Sequence, residues 1–330
     1  MKRSLAGVLA AVALVATVGL TGPAAMAKGS LTASGSSFAN NIMQACKTHY
    51  SGADLTYASV GSGAGRTAFK SGTTSFGMSD GTYAPGTQPS NFVYVPVVGG
   101  PIALDFNVPG VKKINLDGPT IGNIYLGQIK NWNDAAIVKL NKGVKLPNLA
   151  IQPIYRGDSS GTSQNFTNYL GMIAGGAWKS VSAFNTIPGV VGTAATGGAG
   201  VATAVKNTVG ALGYGDLSDA VANGLTYASV LNAAGQYIHP DVRSAAAFLS
   251  VQHVANNGIV TFDYKSPVRG GYAVSLVSYA LARKDGNADV KGFLKDFVTS
   301  CAPTNAAGLS YVAISGSLKA KALDLIDQIG

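Results

Sequence analysis

Charge is scarce in this chain. Only 12% of its 330 residues are Asp, Glu, Lys or Arg, and no dense Lys/Arg run occurs. Stretches that interleave basic and aromatic residues are absent as well, which argues against a nucleic-acid-coating role. Histidine is scarcer still, with His49, His239 and His253 alone, none in the polar turns that organise the chain. No His/Asp grouping has metal-ligand spacing, so a serine nucleophile finds neither a base nor a metal beside it in the sequence. No Lys-Ser or Lys-Thr pair closes a glycine-rich loop, which sets aside a Walker-type nucleotide site. Gly61-Ser62-Gly63-Ala64-Gly65 breaks the G-x-G-x-x-G spacing of a dinucleotide fingerprint. Of the two cysteines, Cys46 and Cys301, a single pairing is possible. In an oxidising compartment they form a disulfide, two buried free thiols being the alternative.

After the first twenty residues no apolar run is long enough to span a bilayer. The one at the start, from Leu5 to Leu20, follows Lys2 and Arg3 and is followed by Ala25-Met26-Ala27. That pattern predicts a secretory signal peptide over 1–27, cleaved before Lys28. The run is short and glycine-interrupted for a membrane anchor, and no cysteine near the cleavage point supports a lipid anchor. The exported chain of roughly 300 residues suits two domains better than one. Residues 1–27 contain Lys2 and Arg3 but no acid, so their removal lowers the net charge from +9 to +7. A basic protein with few charges fits the gathering of small anions by long-range attraction.

What the chain does have is a series of strand-turn-helix starts. The central one is Arg156-Gly157-Asp158-Ser159-Ser160-Gly161-Thr162. Ile151, Ile154 and Tyr155 precede it as a buried strand would, and Phe166, Tyr169, Leu170 and Ile173 follow at helical spacing. A helix start presents unpaired N–H groups and the positive end of the dipole. Two serines, a threonine and a forked guanidinium join those donors, which outlines an oxyanion site; simple capping is the plainer reading. The Arg-Gly-Asp tripeptide is set aside as a chance adhesion signal. A second start is Gly35-Ser36-Ser37-Phe38, with Ser36 and Ser37 at the N-cap of a helix carrying Phe38, Ile42, Cys46 and Tyr50. A third runs from the strand 55–60 through the glycines at 61–65 into a helix near 67–70. A third strand, 75–78, ends at Ser79-Asp80. Asp80 is informative because an acid beside an anion makes sense only if the anion carries a proton that the carboxylate accepts; unprotonated sulfate would set acceptor against acceptor.

The rest of the chain reads as alternating strands and helices. Two buried strands joined by Gly99-Gly100-Pro101 suggest one interdomain crossing, and 266–281 suggests the second. Helical pieces are expected at 121–126 and 134–140, with Trp132 between them. Loops are expected at 175–200, then a helix at 201–205 and a strand at 210–215. A long helix is expected over 241–256, and two closing helices at 288–299 and 318–329. Such alternation predicts α/β sheets flanked by helices, with ligands bound at the carboxyl ends of strands, where the polar turns lie.

These blocks resemble the periplasmic phosphate-binding proteins of the phosphate ABC importer (PstS-type) over nearly the whole mature length. Gly35-Ser36-Ser37-Phe38, Val60-Gly61-Ser62-Gly63, Phe76-Gly77-Met78-Ser79-Asp80 and the Arg156–Thr162 run match the family's phosphate loops in order and spacing. Leu116-Asp117-Gly118, the run from Asn123 to Trp132 and Gly210-Ala211-Leu212-Gly213-Tyr214 are supporting matches. Ser37 stands where many relatives have threonine, Ser159 replaces a common glycine, and 173–200 matches poorly. The resemblance implies a two-lobed, type II-like periplasmic-binding-protein fold. Each lobe is a mixed sheet flanked by helices, with 28–98 plus 268–330 as one lobe, 99–267 as the other, and a two-strand hinge between. It implies phosphate held by Ser37, Phe38, Ser62 and Asp80 from the first lobe and by Arg156, Ser160, Gly161 and Thr162 from the second. Asp158 orients Arg156 without touching the ligand. It also implies no cofactor, no catalysis, no nucleic acid, a monomer outside the cytoplasmic membrane, and membrane permease subunits as partners. A secreted phosphoesterase and an extracellular adhesion or anion-binding protein are the competing readings.

Overall fold

The computed structural model describes residues 28–330, and the expected signal peptide lies outside them. The chain opens with β1 (Gly29–Gly35), α1 (Asn40–His49), β2 (Ala53–Ser59), α2 (Ser62–Lys70), β3 (Phe76–Ser79) and the long β4 (Phe92–Phe106). A middle stretch follows: β5 (Asn115–Leu116), α3 (Gly118–Tyr125), α4 (Ala135–Leu140), β6 (Gln152–Arg156), α5 (Gly161–Ile173), β7 (Thr193–Ala195), α6 (Gly197–Asn207) and β8 (Ala211–Asp216). Next come α7 (Leu217–Ala222), β9 (Thr226–Tyr227), β10 (Ser229–Leu231), β11 (Tyr237–Ile238), α8 (Val242–Leu249), β12 (His253–Val254) and β13 (Val260–Thr261). The chain returns through β14 (Ser275–Arg283) and closes with α9 (Ala288–Asp296), α10 (Ala302–Asn305), β15 (Val312–Ala313) and α11 (Gly316–Ile326).

The main sheet runs β2-β1-β3-β14-β4-β8-β6-β7. Strand β4 is its pivot. Its first part, Phe92 to Pro101, pairs antiparallel with β14, and its second, Ile102 to Phe106, with β8. At about 3.3 Å per residue, fifteen residues reach about 50 Å, enough to thread both halves of a molecule this size. The mixed α/β class is the expected one: β1 is parallel to β2 and β3, and β6 is parallel to β7 and β8.

Three expectations are corrected. Gly99-Gly100-Pro101 is not a break between two strands but the middle of one. Its glycines serve close packing. A Cβ on Gly99 would lie 2.5 Å from Leu249 Cδ1, and one on Gly100 2.9 Å from Phe38 Cζ. The expected helix 241–256 stops at Leu249. It starts on a capping box between Asp241 and Ser244, but Asn256-Asn257-Gly258 turns the hairpin β12–β13 instead. Gly258, at φ 87°, is required there, since a Cβ would collide with the Tyr94 carbonyl. Finally, 175–200 is not all loop. It contains β7, an edge strand on β6, and the start of α6.

One large apolar core runs through both halves, from Leu31 and Phe38 to Tyr214 and Phe248. Cys46 and Cys301 are disulfide-bonded within it, their Cα atoms 5.5 Å apart, tying α1 to the turn before α10. No helix among the described residues is long and apolar enough to cross a membrane.

Candidate functional site

The first half of the site is built on the ends of β1 and β3. Gly35 closes β1 at φ 141°, tight against Met78 of β3, and the chain turns at once into Ser36–Ala39. Tyr57 and Tyr311 pin this turn by donating to the carbonyls of Ser36 (2.5 Å) and Phe38 (2.6 Å). Ser36 Oγ accepts from the amide of Ala39 at 3.0 Å, so Ser36, not Ser37, caps the turn. Ser62 is the first residue of α2, which starts five residues earlier than the sequence suggests and takes Gly63 and Gly65 into its first turn.

Asp80 follows β3 and is 3% exposed. Ser36 and Ser278 (2.8 Å) donate to its Oδ1, and Ser62 donates to Oδ2 at a longer 3.3 Å. The Asp80 amide donates back to Ser62 Oγ at 3.1 Å. Burial pushes the Asp80 carboxyl above its usual range, and the Ser36 and Ser278 hydroxyls and the Arg156 charge oppose this without cancelling it.

The second half rests on β6 and α5. Arg156, the last residue of β6, is 2% exposed. Its Nε and Nη2 donate to Asp158 at 2.8 and 2.5 Å in a bidentate pair, which leaves Nη1 for another partner. Burial pushes Asp158 upward, but the hydrogen bonds and charge of Arg156 outweigh it and hold the carboxyl below the ordinary range. The buried, self-paired arginine also leaves the Arg-Gly-Asp tripeptide with no charged fork to display. Ser160 caps α5 by accepting from the Ser163 amide at 3.1 Å, so its hydroxyl hydrogen is free to donate. Gly161 and Thr162 form the open first turn of this thirteen-residue helix, where amides lack helical acceptors.

The two halves touch. A Cβ on Gly161 would sit 2.5 Å from Ser62 Oγ, 2.7 Å from the Gly81 amide and 2.8 Å from Asp80 Cβ. Asn165 Nδ2 donates to the carbonyls of Asp80 (2.6 Å) and Gly161 (2.9 Å), bridging the halves. The Gly63 amide donates to the Ser159 carbonyl at 2.9 Å. The amide of Gly198 donates to Ser37 Oγ at 3.1 Å, and that of Gly197 to Asp158 Oδ1 at 3.1 Å. Ser62, Asp80 and Gly161 thus meet directly, while Ser37 and the Arg156–Asp158 pair are joined through the start of α6; Phe38, Ser160 and Thr162 are their chain neighbours.

Sequence reading missed four contributors: Ser36 and Ser278 on Asp80, Asn165 between the halves, and the α6 start at Gly197-Gly198. It also missed a group of buried acids beside α6. Burial pushes Asp105 and Asp216 well above the carboxylate range, the Asp219 charge adding to it. The histidines lie elsewhere: His49 pairs with Asp296 at 3.0 Å, His239 packs on the Tyr227 ring, and His253 is exposed on β12.

Buried hydroxyls, helix-start amides and one free guanidinium edge suit a small tetrahedral anion, and one acceptor among them suits an anion that holds a proton. Comparison with known proteins points the same way. A model of the PBP superfamily domain matches residues 22–300. The phosphate-binding protein PstS 3 of Mycobacterium leprae is 36% identical over 317 residues, covering 89% of this chain and 85% of that one. PstS2 of Mycobacterium bovis is 39% identical over 277 residues, covering 77% and 74%. The crystallised phosphate-binding protein of Stenotrophomonas maltophilia shares the two-lobed fold at a TM-score of 0.69, with 20% identity and coverage of 90% and 94%. The chain belongs to the PBP superfamily and, within it, to the PstS-type phosphate-binding proteins.

Proposed function

We propose that the protein binds inorganic phosphate outside the cytoplasmic membrane and delivers it, as a monomer, to the permease subunits of an ABC importer. Its relatives are PstS phosphate-binding proteins, and phosphate is the anion that uses every group proposed for the site. Ser37, Ser62, Ser160 and Thr162 donate hydroxyls, Phe38, Gly161 and Thr162 donate amides, and Arg156 donates from Nη1. Asp80 accepts the proton that phosphate keeps and sulfate lacks. Residues 28–98 with 268–330 form one lobe and 99–267 the other, with β4 and β14 as the hinge. The protein acts by binding and closure, without catalysis.

The observation that carries this reading is the close approach of Gly161 to Ser62 and Asp80, which joins three chain segments from two sheet halves at one buried spot. Calorimetric titration with phosphate and sulfate side by side tests it. Phosphate is expected to bind far more tightly; equal binding of the two sinks the role of Asp80. Steady turnover of a phosphomonoester, lost in Ser37→Ala or Ser160→Ala, would favour an esterase instead.

A further inference from the structure

Ser278 lies in the middle of β14, a strand otherwise apolar from Leu276 to Ala282 apart from the Tyr279 hydroxyl, and it is fully buried. The pairing of β14 with β4 shifts register between Ser278 and Tyr279: Ser278 faces Val98, while Tyr279 faces Pro96. The extra residue is Val97 on β4, opposite the step from Ser278 to Tyr279, and bulges of this kind gather next to binding sites. Ser278, on the regular strand that faces this bulge, places its hydroxyl 2.8 Å from Asp80 Oδ1. Oδ1 already accepts from Ser36. Two donors therefore saturate one carboxylate oxygen, while Oδ2 keeps a single longer bond to Ser62.

Resting on the phosphate-binding reading above, we propose that Ser278 is a positioning residue for anion selectivity. Its hydroxyl, donated from β14 beside the β4 bulge, fixes the Asp80 carboxylate with Oδ1 occupied, so that Oδ2 alone is offered to the ligand's proton. Ser278 does not itself touch the ligand. It keeps Asp80 an acceptor, because a carboxylate that receives two hydroxyl donors holds its charge better than one that receives a single donor. Without that donor Asp80 takes up a proton more readily, becomes a donor at the same position, and no longer rejects an anion without hydrogen.

The groups around Asp80 do not take over this task. Arg156 and Arg66 bring positive charge from two other elements, but Arg156 is bonded to Asp158 and Arg66 Nη1 to Ser79 Oγ. Tyr57, Tyr279 and Tyr311 are buried phenols that the Asp80 charge pushes further toward their neutral form. Tyr57 and Tyr311 donate to the Ser36 and Phe38 carbonyls and Tyr279 accepts from the Val260 amide, and none of the three bonds Asp80.

The test is the pH profile of phosphate and sulfate binding between pH 4 and 8, by calorimetry, on wild-type protein, Ser278→Ala, Ser278→Thr and Ser275→Ala. Ser275 is the matched control: it is buried on the same strand and bonds the Tyr272 carbonyl, not Asp80. In Ser278→Ala the acid limb of phosphate binding is expected to move up by about one pH unit or more, the size of a lost hydroxyl bond to a charge. The phosphate-to-sulfate affinity ratio should fall at least about tenfold at the acid end. Ser278→Thr restores both, and Ser275→Ala leaves both at wild-type values. If Ser278→Ala does not fold, Ser278→Cys, nearly isosteric and a weaker donor, takes its place with the same expected direction. An unmoved acid limb in the Ser278 variant, or an equal shift in Ser275→Ala, overturns the proposal. Failure of the wild-type protein to bind phosphate overturns the proposed function itself, a separate result.

Discussion

On one side of the cleft a carboxylate, Asp80, is buried among hydroxyls; on the other an arginine, Arg156, is buried with a carboxylate already bonded to it. The β6–α5 side carries nearly balanced charge through the Arg156–Asp158 pair. The β1–β3 side carries an acid with no cation bonded to it. A site for an anion is therefore not electropositive in sum. On the proposed function, holding power comes from oriented N–H and O–H groups that need no reorganisation when the ligand arrives, and Asp80 selects rather than attracts. The chain's net charge of +9 favours anions at long range.

The comparison breaks most visibly at Arg156. Arg156→Ala removes the one cationic donor and leaves Asp158 half-buried without its partner, so attraction and neutralisation fail together. Charge-assisted hydrogen bonds contribute about 1.5–3 kcal/mol each. With repulsion by Asp158 added, phosphate affinity should drop about a thousandfold, measured by calorimetry. Gly161→Ala tests the contact between the sides. The added methyl meets a backbone amide and a Cβ, neither of which can swing away, so closure is blocked while both half-sites stay intact. A loss of about a hundredfold is expected, at the few-kcal/mol scale of an overpacked core, with unchanged circular dichroism. Affinity within a few-fold of wild type would mean that the sides do not need to meet.

Asp80→Asn addresses selection. The acceptor atom facing the ligand becomes in part a donor, so phosphate binding weakens and sulfate binding strengthens. Their ratio is expected to fall by about tenfold or more, the scale of one hydrogen bond to a charged group. The pH dependence carries the sign: because burial raises the wild-type Asp80 carboxyl, its protonation begins above the ordinary Asp range. Wild-type phosphate affinity should decline as pH falls through that raised value, and the asparagine variant should lack this limb.

How much of this was legible follows the range of each interaction. The starts at Ser37, Ser62 and Gly161 are local: small polar residues and glycine after a strand and before a helical period declare themselves in seven residues. Asp80 was legible for the same reason, at the end of the short strand Phe76–Ser79. Ser278 was not, because its role depends on how β14 is placed in the sheet and on a partner 198 residues away; the one hint is a lone hydroxyl within an apolar run. Asn165 lies one position before the helical residues read as core, and only the packed halves reveal that it bridges them. Gly197-Gly198 read as loop because glycine opposes helix. Yet a Cβ on Gly198 would lie 2.6 Å from Asp219 Oδ2, so packing outweighs propensity there. The continuous β4 was hidden for the same cause.

Asp158→Asn gives the smallest effect and the sharpest contrast with Asp80. Both changes remove one negative charge from the same junction, yet the two carboxylates face different partners. Asp158 accepts from Arg156 and from the Gly197 amide. Asparagine keeps one acceptor and turns the other toward Arg156 as a donor, so the guanidinium is held less firmly while its charge is less tempered. These effects oppose each other and act on any anion alike. Phosphate and sulfate affinities should therefore move together by less than about tenfold, with their ratio and acid limb unchanged. Stability provides a second readout. Because Arg156 holds Asp158 below the ordinary range, its contribution is full above the unfolded-state pKa and is lost as pH falls through the depressed value. The melting-temperature gap between wild type and variant should be widest at neutral pH and close in strong acid. A shift in the phosphate-to-sulfate ratio as large as that of Asp80→Asn would show that total charge, rather than the placement of one acceptor, sets selectivity.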